Sequence, residues 1–334
     1  MLTVRINNPS SLDSLVFADE AEAGAPGPGE IKVRIRATSL NYHDYLVVTG
    51  KSPAAPGRIP MSDASAEVIA VGEGVTSHQP GDHVISTFFP DWLDGEPLGG
   101  GFSRVPGDGI DGHARPFAIV PAHAFTAAPS GFSHQEAATL PCAALTAWRA
   151  LVEEGRLRAG ETVLIQGTGG LSLFALQFAL AMGAEVVATS SSTEKLARLK
   201  AMGAHHVINY RETERWGSAA KAAVGRGIDH VVEVGGGGTM AQSVSACRDG
   251  GHIALLGVLT GVQAVTPTIG IMAKQLRVTG LTVGNRRQQI EMVRAIERTK
   301  LVPVVDRVFE LKDLAEAFRY QESGRHFGKI VVRV

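Results

Sequence analysis

The stretch that decides the fold is TVLIQGTGGLSLFALQFALAMGAEVVATSSS, residues 162–192. It opens with the apolar run TVLIQ, which is typical of a buried strand. A glycine-rich turn follows, and LSLFALQFALAM then has the length and composition of a buried helix. EVVATS (185–190) supplies a second strand. A strand–helix–strand unit of this kind predicts two parallel strands joined by a crossover helix.

The same alternation continues on the C-terminal side. TEKLARLKAMG predicts a helix with Gly203 as its C-cap, and four further strands are predicted in HVINY, HVVEVGG, HIALLGV and RVTGLTVG. The first third of the chain instead alternates apolar and polar residues, as in IKVRIRA (31–37), which predicts half-buried strands. The predicted fold class is therefore α/β: a doubly wound parallel-sheet (Rossmann) domain at 126–299, and a β-rich domain at 1–125 completed by 300–334.

Composition excludes several classes of function. The 334 residues are 44% hydrophobic and 19% charged, with a formal net charge of −1, so no basic field is available for nucleic acid or an anionic membrane. Two cysteines, Cys142 and Cys247, cannot build a disulfide framework or a four-cysteine zinc lobe. The apolar run at 171–182 is too short to cross a bilayer, and no apolar signal segment is visible, so we expect a cytoplasmic protein.

The glycine-rich turn lies where a dinucleotide fingerprint must lie, after one strand and at the start of a helix. Glycines there permit a tight turn and close approach of a pyrophosphate, which the helix N-terminus attracts. Ser172 replaces the third fingerprint glycine and is small enough for close packing. The predicted contacts with the dinucleotide are Gly167, Thr168, Gly169, Gly170 and Leu171.

The end of the second strand bears on the choice of cofactor. An NAD-selective site carries an acidic residue there, which grips the ribose 2′-hydroxyl. Here the strand ends in serines. The next carboxylate, Glu194, is interpreted as an acidic residue in the first turn of the following helix, where it stabilises the helix N-terminus. Ser190, Ser191 and Lys195 could bind a 2′-phosphate, which predicts NADP(H). The alternative is that the serines only cap the next helix and that Lys195 is a solvated helix lysine.

Several motifs together resemble the medium-chain dehydrogenase/reductase superfamily along essentially the whole chain. They are LNYHDYLVVTG (40–50), GEGV (72–75), PGDHV (80–84), LPCAALTAWRAL (140–151), the nucleotide segment, KLARLKAMGAHHVINY (195–210), VVEVGG, GHIALLG and FGKIVVRV (327–334). The resemblance implies a GroES-like fold for the β-rich domain. It also implies further nucleotide contacts, in addition to Gly169, Gly170, Ser190 and Lys195: Tyr210, Gly257, Val258, Asn285 and Arg286.

Zinc members of that superfamily bind a catalytic metal through a Cys, a His-Glu pair and a second Cys. Motif alignment places Asn41 at the first position, Ser62 and Asp63 at the His-Glu pair, and only Cys142 matches. One thiolate does not assemble a catalytic zinc site with three protein ligands. We therefore expect no metal and a buried structural thiol at Cys142, as in the quinone-oxidoreductase-like branch, where an Asn stands at the position of Asn41 beside the nicotinamide.

Without zinc, the acceptor must tolerate the negative charge that it gains with the hydride. A quinone or enone spreads this charge over an enolate, for which weak hydrogen-bond donors suffice, whereas a simple ketone forms a localised alkoxide. Asn41 and Tyr42 could donate to a substrate oxygen, and Tyr45 could do so if the strand–turn register is shifted. On an extended chain His43 and Asp44 point to opposite faces, so we expect a surface or loop histidine and an aspartate that holds backbone amides.

Three functions remain open at this point. The first is NADPH-dependent reduction of quinones or enones. The second is a zinc-independent alcohol dehydrogenase or carbonyl reductase, and the third is a nucleotide-binding sensor or structural protein without turnover. The glycine-rich loop at 90–115 is expected to cover the substrate, with Phe88, Trp92 and Phe102 as an apolar wall. The resemblance also implies a homodimer, paired through the predicted edge strand at 277–284.

Overall fold

The computed structural model describes residues 1–22, 24–99, 101–263 and 265–334. The chain forms two compact units. The terminal unit comprises Met1–Leu145 and Val283–Val334, and the sheet unit comprises Thr146–Thr282. No helix in the described ranges is long and apolar enough to cross a membrane.

The strands of the described chain are β1 (Leu2–Arg5), β2 (Val16–Asp19), β3 (Glu30–Ser39), β4 (Ser65–Val71), β5 (His83–Ser86), β6 (Phe117–Pro121), β7 (Phe125–Ala127), β8 (Thr162–Gln166), β9 (Glu185–Ser190), β10 (His206–Asn209), β11 (Ile228–Glu233), β12 (Cys247–Leu255), β13 (Arg277–Gly280), β14 (Val305–Glu310) and β15 (Lys329–Arg333).

The α-helices of the same ranges are α1 (Tyr42–Val48), α2 (His134–Ala137), α3 (Leu145–Trp148), α4 (Gly170–Ala181), α5 (Thr193–Ala201), α6 (Trp216–Ala223), α7 (Met240–Ala246), α8 (Thr268–Ala273), α9 (Arg286–Thr299) and α10 (Leu314–Glu322). Short 3₁₀ turns span Leu12–Ser14, Ala122–Ala124 and Leu311–Asp313, and π-helical turns span Leu140–Ala144 and Arg149–Glu153.

The sheet unit contains a six-stranded sheet in the order β10-β9-β8-β11-β12-β13. Every neighbouring pair in it is parallel. Strands β8 and β11 are buried along their whole length, as expected for central strands of a parallel sheet that is covered on both faces. The predicted helices appear as α4 and α5, and Gly203 has the positive φ of a C-cap, +103°. The predicted doubly wound sheet is confirmed.

The terminal unit is β-rich, as predicted. Its seven-stranded sheet runs β14-β15-β3-β4-β5-β7, and β6 pairs with β3 off this path. Strand β3 alternates buried and half-buried residues, in agreement with the pattern of IKVRIRA. One apolar core lies on this sheet around Ile31, Val33 and Ile35, and a second surrounds Tyr45 and Phe318. The GroES-like β-rich domain of the prediction is confirmed.

The compact units divide inside the predicted 126–299 segment, at 145 and 282. Helix α9 belongs to the terminal unit by its contacts. The amide of Gln289 on this helix is buried and donates to Ser86 O at 3.0 Å and to Thr126 Oγ1 at 2.7 Å. A buried polar side chain of this kind ties the helix to β5 and β7, and the strand–helix alternation of the sequence contains no sign of it.

The segment after Ser133, which the sequence predicts as one helix, folds less regularly than its pattern indicates. Ser133 and Glu136 form the predicted capping box, with Ser133 N donating to Glu136 Oε2 at 2.8 Å. Helix α2 then ends after one turn, and π-helical turns follow on either side of α3. Pro141 lies in the first of these turns, where its missing N–H removes a helical hydrogen bond.

Candidate functional site

The glycine-rich turn of the sheet unit has the geometry of an anion-binding loop. Gly167 has a φ of +72°, and its N–H donates to Thr189 O at 2.8 Å, which holds the turn against β9. Gly169 is the N-cap of the twelve-residue helix α4. A Cβ at Gly167 or Gly169 would meet no atom within 4 Å, so these glycines leave free space beside the helix N-terminus. Thr168, between them, is buried.

Ser172 takes the place of the third glycine without opening the structure. It is buried, and its hydroxyl donates to Gln166 O at 2.7 Å. Helix α4 therefore packs closely on the end of β8. In the sheet order, β9 lies on one side of β8 and β11 on the other, so the carboxyl end of β8 is the switch point where α/β sheets bind ligands.

The predicted adenosine-side residues gather at the carboxyl ends of β9 and β10. Ser190 ends β9, its O accepts from Tyr210 N at 3.2 Å, and its Oγ accepts from Ser192 N at 3.3 Å. Ser192 is the N-cap of α5 and accepts from Lys195 N at 3.3 Å. Ser192 thus performs the capping role, and Ser191 lies between it and the strand end. The side chain of Tyr210 is exposed.

Sequence reasoning missed a buried carboxylate at the end of β11. Glu233 Oε1 accepts from the N–H groups of Gly235 and Gly236 at 2.8 and 2.9 Å and from Thr239 Oγ1 at 2.5 Å. Its Oε2 accepts from Gln166 Nε2 at 2.8 Å and from the Ser243 hydroxyl. The available signal was a glutamate that ends an apolar strand directly before a run of glycines.

Glu233 and its partners shape the loop at 234–239, which lies over the loop after β12. Thr260 N donates to Gly235 O at 2.8 Å, and Leu256 N donates to Glu233 O at 2.9 Å. A Cβ on Gly257 would lie 2.4 Å from Val234 O, so glycine is required by this close approach. Val258 follows it, partly exposed. The structure therefore places Gly257 and Val258 after the carboxyl end of β12, against the loop that follows the neighbouring strand β11.

Asn285 and Arg286 belong to the terminal unit, not to the sheet unit that carries the other predicted nucleotide residues. The Asn285 side chain is buried and caps α9 by accepting from Gln288 N at 2.9 Å. Arg286 Nε donates to His123 O at 3.2 Å, and its N–H donates to Trp92 O at 3.0 Å. Their assignment as cofactor contacts stays a prediction.

In the terminal unit, a buried polar cluster forms around the residues aligned with zinc-ligand positions. Asn41 Nδ2 donates to Asp63 Oδ2 at 2.8 Å and to Ser62 Oγ at 3.3 Å. Lys329 Nζ donates to Asn41 Oδ1 at 2.6 Å and lies 3.5 Å from Asp63 Oδ2. Burial and the neighbouring Asp44 raise the pKa of Asp63 to about 6, although the Lys329 charge opposes this shift. No sequence pattern connects Lys329 with Asn41.

The segment after Asn41 is a helix, α1, and not the extended chain that the sequence suggested. The missed signal is the spacing of Asn41 and Asp44, an N-cap and its N3 residue. Asp44 Oδ2 accepts from Asn41 N at 3.0 Å, and its Oδ1 accepts from Ser62 N at 2.8 Å. The prediction that Asp44 holds backbone amides is confirmed, and these bonds tie α1 to the chain at Ser62.

The two tyrosines predicted as donors have different surroundings. Tyr42 is 40% exposed, at the first turn of α1 beside Asn41. Tyr45 is buried, and its hydroxyl donates to Glu322 Oε1 at 2.7 Å and accepts from Lys51 Nζ at 3.0 Å. The structure therefore keeps Tyr42 accessible and engages the Tyr45 hydroxyl with Glu322 of α10 and with Lys51.

His43 is not the loop histidine of the prediction, because it lies on α1 among aromatic rings. Its ring centroid is 4.7 Å from that of Phe102 and 5.5 Å from that of Phe88, and its Nε2 lies 3.3 Å from Asp108 Oδ2. Phe88 and Trp92 are buried, whereas Phe102 is partly exposed. The described part of the 90–115 loop thus brings an aromatic wall next to the first turn of α1.

Cys142 lies in the π-helical turn at Leu140–Ala144 and is half-buried, so the prediction of a buried structural thiol was wrong as to its burial. Among the described residues, no group of three or more His, Cys, Asp and Glu side chains could hold a metal ion.

Comparison with known proteins gives the family. A model of the alcohol dehydrogenase GroES-like domain matches residues 27–130, and a model of the zinc-binding dehydrogenase matches residues 170–298. The chain is 41% identical over 318 residues to a zinc-type alcohol dehydrogenase-like protein of Schizosaccharomyces pombe, covering 92% of this chain and 91% of that protein.

Two solved structures are similar over the whole chain. A protein of Sinorhizobium meliloti 1021 assigned to the alcohol dehydrogenases has a TM-score of 0.93 and 41% identity, covering 100% of this chain and 99% of that one. An NAD-dependent alcohol dehydrogenase has a TM-score of 0.90 and 31% identity, covering 100% of both. The chain belongs to the medium-chain dehydrogenase/reductase superfamily, as an alcohol dehydrogenase-like oxidoreductase. This family uses a nicotinamide cofactor.

The residues present fit such a cofactor and do not fit the zinc of the family name. Free space at Gly167 and Gly169 beside the N-terminus of α4 suits a pyrophosphate. At three of the four aligned zinc-ligand positions stand an amide, a hydroxyl and one carboxylate, with the Lys329 ammonium among them, and Cys142 is the one matching ligand. Zinc prefers thiolate and imidazole ligands, and a buried ammonium at this distance repels a second cation.

Proposed function

We propose that this protein is an NADP(H)-dependent reductase of quinones or α,β-unsaturated carbonyls, which works without zinc. The observation that carries the proposal is the polar cluster of Asn41, Ser62, Asp63 and Lys329, which offers N–H and O–H donors where metal ligands would otherwise stand. The bound nicotinamide supplies the hydride. The protein has to orient the acceptor and stabilise the charge that develops on its oxygen.

The donors in the terminal unit suit a delocalised charge. Asn41 and Tyr42 can donate neutral hydrogen bonds to a carbonyl or quinone oxygen. Such bonds stabilise an enolate or hydroquinone anion, whereas an alkoxide requires stronger stabilisation. Phe88, Trp92 and Phe102 belong to an aromatic cluster, joined by edge-to-face and stacked contacts, directly and through Phe89. Phe102, which is partly exposed, can give an apolar contact to a conjugated acceptor. Solvent can protonate an enolate, so no dedicated acid is required.

The preference for NADP(H) rests on the end of β9. It carries Ser190 and Ser191 with no carboxylate at the strand tip, and Lys195 is in the first turn of α5. A 2′-phosphate would gain hydroxyl donors and a positive charge. Because a structural relative is an NAD-dependent alcohol dehydrogenase, both cofactors are titrated by fluorescence with the wild type and K195Q. Tighter NADPH binding that is weakened selectively in K195Q supports the proposal, and tighter NADH binding refutes it.

A second candidate is a zinc-independent alcohol dehydrogenase or carbonyl reductase, which the similarity to alcohol dehydrogenases favours. The test measures NADPH oxidation in metal-free buffer with an enone, a quinone and a saturated ketone of matched shape. Turnover of the first two alone supports the proposal, and turnover mainly of the ketone supports the second candidate. Oxidation that no acceptor stimulates would point to a binding protein without turnover.

We also propose a homodimer paired through β13, the edge strand of the six-stranded sheet. The segment around this strand exposes large apolar side chains, which a second copy related by a two-fold axis would bury. They are Leu259, Val262, Val265, Ile269, Met272 and Val278. Light scattering at micromolar concentration should give the mass of two chains, and I269D/M272D should give that of one; a wild-type monomer would refute the dimer. A cytoplasmic location stays a prediction.

A further inference from the structure

Lys329 is one of the most deeply buried charges of the terminal unit, at 3% exposure. It lies at the start of β15, and its ammonium donates to Leu40 O at 2.7 Å and to Asn41 Oδ1 at 2.6 Å. Asp63 Oδ2 lies 3.5 Å away and supplies the opposite charge. The ammonium is thus held by one backbone carbonyl, one amide oxygen and one carboxylate.

These contacts fix the orientation of the Asn41 amide. Its oxygen faces the ammonium, and its nitrogen faces Asp63 Oδ2 at 2.8 Å and Ser62 Oγ at 3.3 Å. The reversed amide would point N–H groups at the ammonium and its oxygen at the carboxylate, which places donors against donors and acceptors against acceptors. Lys329 and Asp63 therefore allow one orientation of Asn41.

We propose that Lys329 is a positioning residue that orients and polarises the Asn41 amide, so that its N–H can stabilise the charge developing on the substrate oxygen. This inference rests on the proposed reductase function. The long contact with Ser62 leaves one amide hydrogen weakly bonded, and a substrate oxygen can replace the serine. Lys329 withdraws electron density through Asn41 Oδ1, which strengthens the N–H as a donor in a low-dielectric environment.

The cluster then provides by a fixed ammonium part of the electrostatic stabilisation that zinc provides in other members. The positive charge reaches the substrate through the amide and not by direct contact. This fits acceptors that delocalise their charge, since a polarised neutral donor is weaker than a metal ion. Asp63 keeps the cluster balanced, because an isolated buried ammonium is strongly unfavourable.

The test compares D63N with K329M/D63N. K329M alone leaves Asp63 buried without its counter-charge and could prevent folding, whereas the double variant is uncharged. We expect the double variant to unfold at a temperature close to that of D63N and to bind NADPH with unchanged affinity. Its kcat with the enone should be about tenfold to a hundredfold below that of D63N, a fraction of the loss seen when an oxyanion donor is removed altogether. Equal kcat values would overturn the proposal.

Two further comparisons identify how Lys329 acts. When Asn41 is replaced by leucine, the variants N41L/D63N and N41L/D63N/K329M should have the same kcat, because the amide through which Lys329 acts is gone. An undiminished effect in that background would show that Lys329 acts by another route and would also overturn the proposal. K274M is the matched control, since Lys274 Nζ is held by the carbonyls of Val244, Ser245 and Cys247. It should lose stability and keep its kcat.

A readout without turnover separates this inference from the proposed function. If the wild type reduces none of the three acceptors, the proposed function fails on that result alone. The crystal structure of K329M/D63N then decides the positioning role. A changed Asn41 rotamer or a lost contact with residue 63 supports it, and an unchanged Asn41 side chain refutes it.

Discussion

The carboxylate of Glu233 should anchor the glycine loop after β11, and E233Q tests this. The carboxylate accepts from the Gly235 and Gly236 N–H groups and from Thr239 through one oxygen, and from Gln166 and Ser243 through the other. A glutamine has one accepting oxygen. If its NH₂ group faced the glycines, the buried Gly236 N–H would lose its acceptor and the Gly235 N–H would keep only its long bond to Gln166 Oε1 at 3.3 Å, so we expect it to face Gln166 and Ser243.

The magnitude follows from the partners left on that side. The Ser243 hydroxyl can rotate and accept from the new NH₂ group. Gln166 Nε2 cannot accept, and turning the Gln166 amide would remove Oε1 from Val234 N and Gly235 N, now at 3.2 and 3.3 Å. One buried donor is therefore unsatisfied in either arrangement, at a cost of about 2 kcal/mol. For a domain of this size, that loss corresponds to a decrease in Tm of roughly 4–8 °C.

Thermal unfolding followed by circular dichroism measures the effect, with E194Q as the control. Glu194 is exposed in the first turn of α5, so its substitution should change the stability by less than about 0.5 kcal/mol. NADPH affinity should fall in E233Q and stay unchanged in E194Q, because the loop at the switch point is altered in the first alone. An E233Q protein with the Tm and NADPH affinity of the wild type would refute the anchoring role.

Three further predictions concern burial. Burial lowers the pKa of His113 to about 3, whereas its pKa in the unfolded chain is near 6.5. The neutral, buried imidazole therefore contributes its full stabilisation above about pH 6.5, and the free energy of unfolding should decrease by about 2 kcal/mol between pH 7 and pH 5. Urea unfolding of the wild type at the two pH values should show this decrease, and H113L should lack it. A Cβ at Gly112 would lie 2.4 Å from Met61 O, so G112A should lower both the Tm in thermal unfolding and the kcat of NADPH oxidation. A Cβ at Gly99 would meet no atom within 4 Å, so the control variant G99A should change neither value. Burial raises the pKa of the Cys247 thiol to about 12, so a disulfide reagent should leave it unmodified until the protein unfolds; rapid modification of the native protein at Cys247, detected by peptide mass spectrometry, would contradict this.

The features of the fold that depend on a local pattern of residues were correctly predicted from the sequence. The buried runs of β8 and β9, the glycine turn and the cap at Ser133 are all specified by residues within a few positions of one another. The helix after Asn41 was missed because its aromatic and β-branched residues favour a strand, while the cap with Asp44 and packing in the core decide in favour of a helix.

The contacts of the candidate site were less accessible to sequence reasoning. Lys329 and Asn41 are 288 positions apart, and Glu233 and Gln166 are 67 apart. No sequence periodicity connects such residues, and each of them, taken alone, looks like an ordinary residue of its own segment. Only the three-dimensional pairing of strand ends shows which carboxylate meets which donor.

Two of the buried carboxylates that the structure describes, Glu233 and Asp63, are compensated by different means, and the difference indicates what each is for. Glu233 is satisfied by neutral donors, which suits a structural anchor because no counter-charge has to be buried with it. Asp63 is compensated by an ammonium that is itself buried. Buried ion pairs can often be replaced by apolar residues without loss of stability, so the fold alone does not require this pair. What an apolar replacement could not do is hold the Asn41 amide between a positive and a negative charge. The pair at Lys329 and Asp63 is therefore best explained by the chemistry at Asn41.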